Sequence, residues 1–123
     1  MNNIGILADF SKTSGLGHFK RMIGLSKELK RLNSKCFFFI NSSNFIKLKK
    51  KISDNIEYII IKDCNFKSIL NQIKLNNLNT IIFDTYNKKF LNYEKKLMEY
   101  KIKVVAIDDF FYKHYANLVF TNN

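Results

Sequence analysis

A glycine-rich turn places a histidine at the start of a helix. The run Ser14-Gly15-Leu16-Gly17-His18 follows a short apolar strand and opens an amphipathic helix. The backbone N–H groups of a helix N-terminus, together with the helix dipole, favour an anionic group. The dipole also favours the neutral imidazole, which can accept a proton near pH 7. The run therefore indicates a site for an anionic substrate with His18 as a candidate general base; a capping or packing role for His18 is the alternative.

The same glycines do not complete a known nucleotide motif. Lys20 stands where the dinucleotide fingerprint has its third glycine, and the second strand closes on Ile40-Asn41 without an acidic residue. A P-loop is excluded because the sequence has no Gly-Lys-Ser/Thr. The two cysteines, Cys36 and Cys64, lack the spacing of a metal site. We expect them to be reduced, buried thiols, and we expect no metal and no other cofactor.

Polar residues collect where the predicted strands end. Five of the ten acidic residues lie at these ends. In an open parallel sheet, ligands bind outside the carboxyl ends of the strands. Aspartate also favours turns and helix caps, so a structural role is equally open for each one, whereas the set favours a binding site. The set consists of Asp9, Ser11, Asn41 to Ser43, Asp63, Asp84, Thr85, Tyr86, Asp108 and Asp109.

Apolar runs alternate with amphipathic segments along the whole chain. Strands are predicted at 4–8, 36–40, 58–61, 80–83, 103–107 and 118–120, and helices at 17–32, 42–52, 66–73 and 92–100. Strands without polar alternation, separated by helices, are typical of parallel sheets built from right-handed βαβ units. The pattern predicts a single Rossmann-like α/β domain over residues 1–123, with an open parallel sheet and helices on both faces. Further expectations are a cap at Ser42 or Ser43, an apolar face on the first helix that extends to Leu32, and His114 in a surface loop.

The chain is strongly basic. It has 21 lysines and arginines against 10 acidic residues, a formal net charge of +11. A basic surface can bind nucleic acid, but these lysines are spread over several predicted helices. A composition rich in Lys, Asn, Ile and Phe is also what an AT-rich genome produces. We therefore expect a solvated basic surface and no nucleic-acid partner. No apolar run approaches the ~20 residues of a membrane span, and no signal peptide is evident, so we expect a cytoplasmic protein without membrane association.

Three blocks of the sequence resemble one enzyme family. They are GLGHFKRMIGLSKEL (15–29), IIFDTYNKKFLNYEKKL (81–97) and VVAIDDFFYKHYANLVFTNN (104–123). These blocks resemble the Gly-x-Gly-His-x-x-Arg, Asp-x-Tyr and Ile-Asp-Asp segments of the UDP-2,4-diacetamido-2,4,6-trideoxy-β-L-altropyranose hydrolases of pseudaminic acid biosynthesis. That family is similar in fold to glycosyltransferase-B proteins. The chain departs from it at Leu7, where the family often has Arg, and at Ser14, where it favours Ile.

The resemblance implies a role for each matching residue. His18 would be the general base for a water that attacks the anomeric carbon and displaces UDP with inversion. Gly15 and Gly17 would let the backbone approach the sugar phosphate, and Tyr86 would contact the sugar or its phosphate. Arg21 would belong to the site or would anchor a carboxylate within the fold. The remaining positions implied to bind or shape the site are Asp9, Ser11, Asp84 and Asp109.

The resemblance covers only the first of the family's two domains. The sequence stops at Asn123, ahead of the C-terminal domain that holds the nucleotide in that family. We therefore expect an N-terminal half that is weak or inactive alone, with a UDP-sugar as substrate and a missing or separately encoded C-terminal domain as partner. Two alternatives stay open. One is the acceptor-side half of a related glycosyltransferase, which would need a membrane-docking patch; Phe10 and 110–112 are candidates for that patch, and packing is the favoured role for them. The other is a non-catalytic binding module of the same fold.

Overall fold

The computed structural model describes residues 2–8, 17–52, 55–85, 87–108 and 113–121. Six parallel strands form one sheet in the order β3-β2-β1-β4-β5-β6. The strands are β1 (Asn3–Ala8), β2 (Lys35–Asn41), β3 (Glu57–Ile61), β4 (Thr80–Asp84), β5 (Lys103–Asp108) and β6 (Leu118–Thr121). The helices are α1 (Gly17–Arg31), α2 (Ser42–Lys51), α3 (Phe66–Leu75) and α4 (Lys89–Glu99). The predicted Rossmann-like fold is confirmed.

The sheet is covered by helices on both faces. Side chains that alternate along the strands supply two separate cores. On one face, Ile6 and Phe38 pack with Phe19 of α1 and Leu48 of α2. On the other face, the core joins strand residues to α3 and α4 through Ile69, Ile73, Phe90 and Leu97. The chain changes face where it crosses from β3 to β4, because right-handed crossovers that run in opposite directions along the sheet lie on opposite faces.

A glycine in the middle of β1 allows the second core to close over the sheet. A Cβ atom at Gly5 would lie 2.6 Å from the ring of Phe39 and 2.7 Å from the side chain of Ile81. These separations are far below van der Waals contact. The aromatic ring of the neighbouring strand therefore occupies the space that any larger residue at position 5 would need.

Three local predictions differ from the structure. Asn41, not Ser42 or Ser43, caps α2, because its side-chain oxygen accepts the Ser43 backbone N–H at 3.0 Å. Helix α4 begins at Lys89, three residues earlier than predicted. Helix α1 ends at Arg31, and Asn33 follows with a φ of 67°, a left-handed conformation that stops the helix. Leu32 consequently leaves the apolar face and is 75% exposed.

Candidate functional site

The strand order reverses direction between β1 and β4. From β1 the chain moves outward through β2 to β3, and from β4 it moves the other way through β5 to β6. Ligands of open α/β sheets bind in the crevice outside the carboxyl ends of the strands at such a switch point. Ala8 and Asp84, the last residues of β1 and β4, are neighbours in the sheet register. Asp84 therefore lies at the position where this fold holds its ligands.

Three charged or ionisable side chains meet at the switch point. Nδ1 of His18 lies 2.7 Å from Oδ1 of Asp84. Nε of Arg21 donates to Oδ2 of Asp84 at 2.6 Å, and Nη2 of Arg21 donates to Oδ1. His18 is 6% exposed and Asp84 is fully buried. We call these three residues the His18–Asp84–Arg21 cluster.

Local structure explains why the sequence brings these groups together. His18 and Arg21 are three positions apart at the start of α1, so their side chains lie on the same side of the helix. The planar guanidinium group binds both carboxylate oxygens at once, a geometry that suits arginine and not lysine. A carboxylate at a helix N-terminus is also stabilised by the helix dipole. The buried Asp84 carboxylate is therefore surrounded by donors from α1.

The cluster orients an imidazole for proton transfer. A carboxylate can only accept hydrogen bonds, so neutral His18 carries its proton on Nδ1, the nitrogen that faces Asp84. Nε2 is then the ring nitrogen that can accept a proton from a reacting group. Arg21 binds both oxygens of Asp84 and balances its charge. A base held by a second, buried group is the arrangement expected of a general base.

The structure brings together three of the residues selected from the sequence. His18, Arg21 and Asp84 form one cluster, and Arg21 anchors a carboxylate within the fold. Gly17 is the first residue of α1 and is exposed. The other positions to which the resemblance gives a role lie outside the described residues, so their placement at this edge stays a prediction: Gly15, Asp9, Ser11, Tyr86 and Asp109. The aromatic residues at 10 and 110–112 also lie outside them. Of the strand-end set, Asn41 and Thr85 line a cavity at this edge, and Asp63 is exposed.

A cavity of about 260 Å³ lies on the same edge of the sheet. Thr85, which directly follows Asp84 in the chain, is part of its wall, as are Asn41 and Asn44 at the start of α2. Its apolar lining includes Leu7, Phe39 and Phe90, which belong to the core on that face. None of His18, Arg21 and Asp84 is among the described residues that line the cavity.

The structure contains a second histidine–carboxylate pair, which was not predicted from the sequence. His114, expected in a surface loop, has a side chain that is only 8% exposed. Its Nδ1 lies 2.8 Å from Oε2 of Glu94, whose Oε1 accepts the Tyr115 backbone N–H at 3.0 Å. The prediction for His114 was wrong because Glu94 of α4 provides it with a buried partner. Glu94 falls on the apolar face of α4 between Phe90 and Leu97, and a charge at such a position was the available signal.

Both cysteines are free thiols that are partly buried. Burial raises the pKa of Cys36 to about 11. Burial also raises the pKa of Cys64, and the nearby charge of Lys89 partly opposes that rise. Both side chains therefore stay protonated near neutral pH, as expected of packing residues and not of nucleophiles.

Among the described residues, no group of three or more His, Cys, Asp and Glu side chains could hold a metal ion. No helix in the described ranges has the length and apolarity needed to cross a membrane.

Comparison with known proteins adds no relative. No protein-family model matches the sequence, and no curated protein matches it. Support for a function comes from the geometry of the site and from the three resembling blocks.

Proposed function

We propose that this chain is the catalytic N-terminal half of a nucleotide-sugar hydrolase that releases UDP from a UDP-linked diacetamido-trideoxy sugar. The observation that carries the proposal is the His18–Asp84–Arg21 cluster at the switch point of the sheet. Nε2 of His18 takes a proton from water as the water oxygen bonds to the anomeric carbon. The bond from that carbon to the phosphate oxygen breaks, and UDP leaves with the electron pair. The sugar is released with inverted configuration.

The proposal includes a second domain that holds the nucleotide. Support comes from β6, in which every residue is exposed and Phe120 is 55% exposed. Leu118 and Phe120 are in register with Val105 and Ile107 of β5, so these side chains share the face that carries α1 and α2. Exposed apolar side chains in a contiguous strip are typical of surfaces that another protein segment covers. Such a strip suits docking of the domain that holds the nucleotide.

A non-catalytic binding module is the second candidate. It is favoured by the burial of Asp84, because a buried ion pair is compatible with a purely structural role, that of joining α1 to β4. A glycosyltransferase half would use the same base on a sugar hydroxyl in place of water. The three candidates differ in whether His18 is needed for turnover and in whether water or a sugar accepts the glycosyl group.

Turnover with and without the His18 base tests the proposal. The chain would be joined to the C-terminal domain of a hydrolase of the family it resembles, and UDP release from the nucleotide sugar would be measured. His18→Asn retains an N–H donor toward Asp84 but lacks Nε2, so we expect turnover to fall about 10²–10⁴-fold while the fold is kept. Full turnover in His18→Asn would contradict the base assignment. UDP release that requires an added sugar acceptor would favour the transferase.

The affinity of the chain alone for UDP tests the proposal that a second domain holds the nucleotide. We expect the chain alone to bind UDP only in the millimolar range, about −4 kcal/mol, because the contacts to the nucleotide come from the other domain. Calorimetry that shows micromolar affinity for UDP would contradict this part of the proposal.

A further inference from the structure

Three helices end in the same way at the amino edge of the sheet. We use this name for the last turn of each helix together with the residues that lead into the next strand. A residue in the left-handed conformation follows α1, α3 and α4; these residues are Asn33, Asn77 and Lys101. The next backbone N–H donates to the carbonyl five residues earlier, and the pairs are Ser34–Leu29 at 2.9 Å, Leu78–Ile73 at 2.9 Å and Ile102–Leu97 at 3.1 Å. This is the Schellman motif, which fixes the last turn of a helix.

Each of these helix ends exposes a large apolar side chain. Leu32 is 75% exposed, Leu75 is 73% exposed and Tyr100 is 52% exposed. Leu32 and Tyr100 directly precede a left-handed residue, and Leu75 is the last residue of α3. No other large apolar side chain in the described ranges is as exposed as the two leucines. The amino edge therefore presents apolar side chains to its surroundings on a framework of fixed geometry.

The three helix ends are neighbours along the edge. The backbone N–H of Lys35, just past α1, donates to the Asn2 carbonyl at 2.8 Å, and that of Asn79, just past α3, donates to the Asn3 carbonyl at 2.9 Å. The Asn79 carbonyl accepts the backbone N–H of Lys103, just past α4, at 3.0 Å. The starts of β2, β1, β4 and β5 thus lie side by side within about 14 Å, because neighbouring strands are ~4.8 Å apart.

The amino edge is strongly basic. Its described residues are 28–35, 48–52, 55–57, 72–80 and 96–103. They include ten lysines and arginines against three glutamates, a net charge of +7 within the +11 of the whole chain. The basic residues are Lys30, Arg31, Lys35, Lys49, Lys50, Lys51, Lys74, Lys96, Lys101 and Lys103, and the acidic ones are Glu28, Glu57 and Glu99. A lysine in a last helical turn also complements the helix dipole, but Lys35, Lys101 and Lys103 lie beyond the helices.

These features narrow the kind of partner. The positive charge favours an anionic one. A nucleic acid gains from stacking on aromatic rings, but Nζ of Lys74 lies over the ring of Tyr100 at 5.6 Å, and leucines offer no stacking surface. A protein partner would bury a contiguous patch, whereas lysines separate the apolar side chains here. A bilayer with anionic lipids suits both groups, because lysines bind the headgroups while separate apolar side chains enter the interface.

We propose that the amino edge binds peripherally to the surface of a membrane that contains anionic phospholipids. Leu32, Leu75 and Tyr100 enter the headgroup region, and the surrounding lysines bind lipid phosphates. Peripheral binding needs no membrane-spanning helix, and it departs from the sequence expectation of no membrane association. The His18–Asp84–Arg21 cluster lies at the opposite edge of the sheet and faces away from the membrane. The assignment is independent of the proposed function, because it uses no residue of that cluster.

Binding of the chain to lipid vesicles tests this surface. The probe vesicles contain phosphatidylcholine with about 30% phosphatidylglycerol, the control vesicles contain phosphatidylcholine alone, and co-sedimentation gives the bound fraction. We expect binding to the neutral vesicles to be at least about tenfold weaker. A similar loss is expected when NaCl is raised from about 50 mM to about 500 mM, because salt screens the lysines. Absence of binding to the anionic vesicles would overturn the assignment.

Single substitutions of exposed apolar residues test the contribution of the helix ends. Leu32→Gln and Leu75→Gln should each weaken binding to the anionic vesicles about threefold, and the double variant about tenfold. Ile46→Gln is the matched control, because Ile46 is 67% exposed on α2 and lies outside the amino edge. Melting temperatures would show that each variant is folded. An equal loss in Ile46→Gln would contradict a specific role for the helix ends.

Two sets of lysine substitutions separate local charge from net charge. Replacement of Lys30, Lys35 and Lys103 by Gln should weaken vesicle binding at least about tenfold. Replacement of three exposed lysines near the carboxyl edge lowers the net charge equally and should weaken binding no more than about threefold; these are Lys20, Lys62 and Lys67. Equal losses in the two sets would show that net charge alone drives binding and would overturn the assignment. Tighter binding of a single-stranded oligonucleotide than of anionic vesicles, lost in the first set, would identify a nucleic-acid surface instead.

Discussion

Nδ1 of His18 lies 2.7 Å from Oδ1 of Asp84, although 66 positions separate the two residues in the sequence. This contact joins the first turn of α1 to the end of β4 across the switch point of the sheet. His18 is thus part of the packing of the fold as well as the candidate base. A packing role was the alternative interpretation of His18 in the sequence, and the burial of this residue in α1 supports that role.

Two substitutions at His18 should separate its two roles. His18→Ala removes a hydrogen bond to a buried carboxylate, and we expect unfolding free energy to fall by about 1.5–3 kcal/mol. His18→Asn keeps a donor near the position of Nδ1 and should lose less than about 1 kcal/mol. Urea unfolding measures both values. Equal losses in the two variants would show that the contact with Asp84 is not what His18 contributes to stability.

Arg21 should be far more important for stability than an exposed arginine on the same helix. Arg21→Ala leaves the buried Asp84 without its bidentate partner, and we expect a loss of about 3–5 kcal/mol. Arg21→Lys should recover only part of it, because an ammonium group cannot match both carboxylate oxygens. The control is Arg31→Ala, which removes an exposed pair with Glu28 and should cost no more than about 1 kcal/mol. A similar loss in Arg21→Ala and Arg31→Ala would contradict the geometry.

Glu94 should hold the segment that precedes β6. Glu94→Gln removes the charge that faces His114, and we expect a loss of about 1–3 kcal/mol together with faster hydrogen exchange at the Tyr115 amide. Glu99→Gln, at the exposed end of the same helix, should change the unfolding free energy by less than about 0.5 kcal/mol. Unchanged exchange at Tyr115 in Glu94→Gln would mean that other contacts hold this segment.

Two glycine-to-alanine substitutions should act in opposite directions. At Gly5 the new methyl group meets Phe39 and Ile81 at less than 3.0 Å, so we expect a loss of about 1–3 kcal/mol from overpacking. At Gly24, an exposed position in α1, a methyl group meets nothing within 4 Å. Alanine there should stabilise the protein by about 0.5–1 kcal/mol, because glycine is the poorer helix former. Melting temperatures that move in the same direction would be inconsistent with this packing.

Alkylation of Cys36 should depend steeply on pH. A pKa of about 11 against the ordinary value of 9.0 lowers the thiolate fraction near pH 8 about hundredfold, and only the thiolate reacts. The rate with iodoacetamide, measured in a Cys64→Ser background, should therefore rise about tenfold per pH unit from pH 7 to 10. A rate that levels off below pH 9 would show that burial does not protect this thiol.

The sequence by itself determined the class of fold and the elements that build it. Unbroken apolar runs such as Phe37 to Ile40 indicate strands buried on both faces. Because helices connect these strands, the strands are expected to pair in parallel in one sheet. The placement of His18 and Arg21 on one side of α1 can also be predicted from the sequence, since it depends only on helical spacing. These features are local: periods of two and 3.6 residues record which side of each element is buried.

Only the tertiary structure decided which distant groups meet. Five acidic residues follow predicted strands, and the sequence does not show which of them contacts α1. The contact of Asp84 with α1 depends on β4 lying next to β1 in the sheet. Strand order of this kind cannot be predicted from the local spacing of apolar residues. The same limit applies to Glu94, whose partner His114 arrives from a connection 20 residues later. Leu32 continues an apolar period but lies past the end of α1, because Asn33 follows in a left-handed conformation that stops the helix. A charged side chain can be buried only where an oppositely charged or hydrogen-bonding partner packs against it. The tertiary structure determines which residue that partner is.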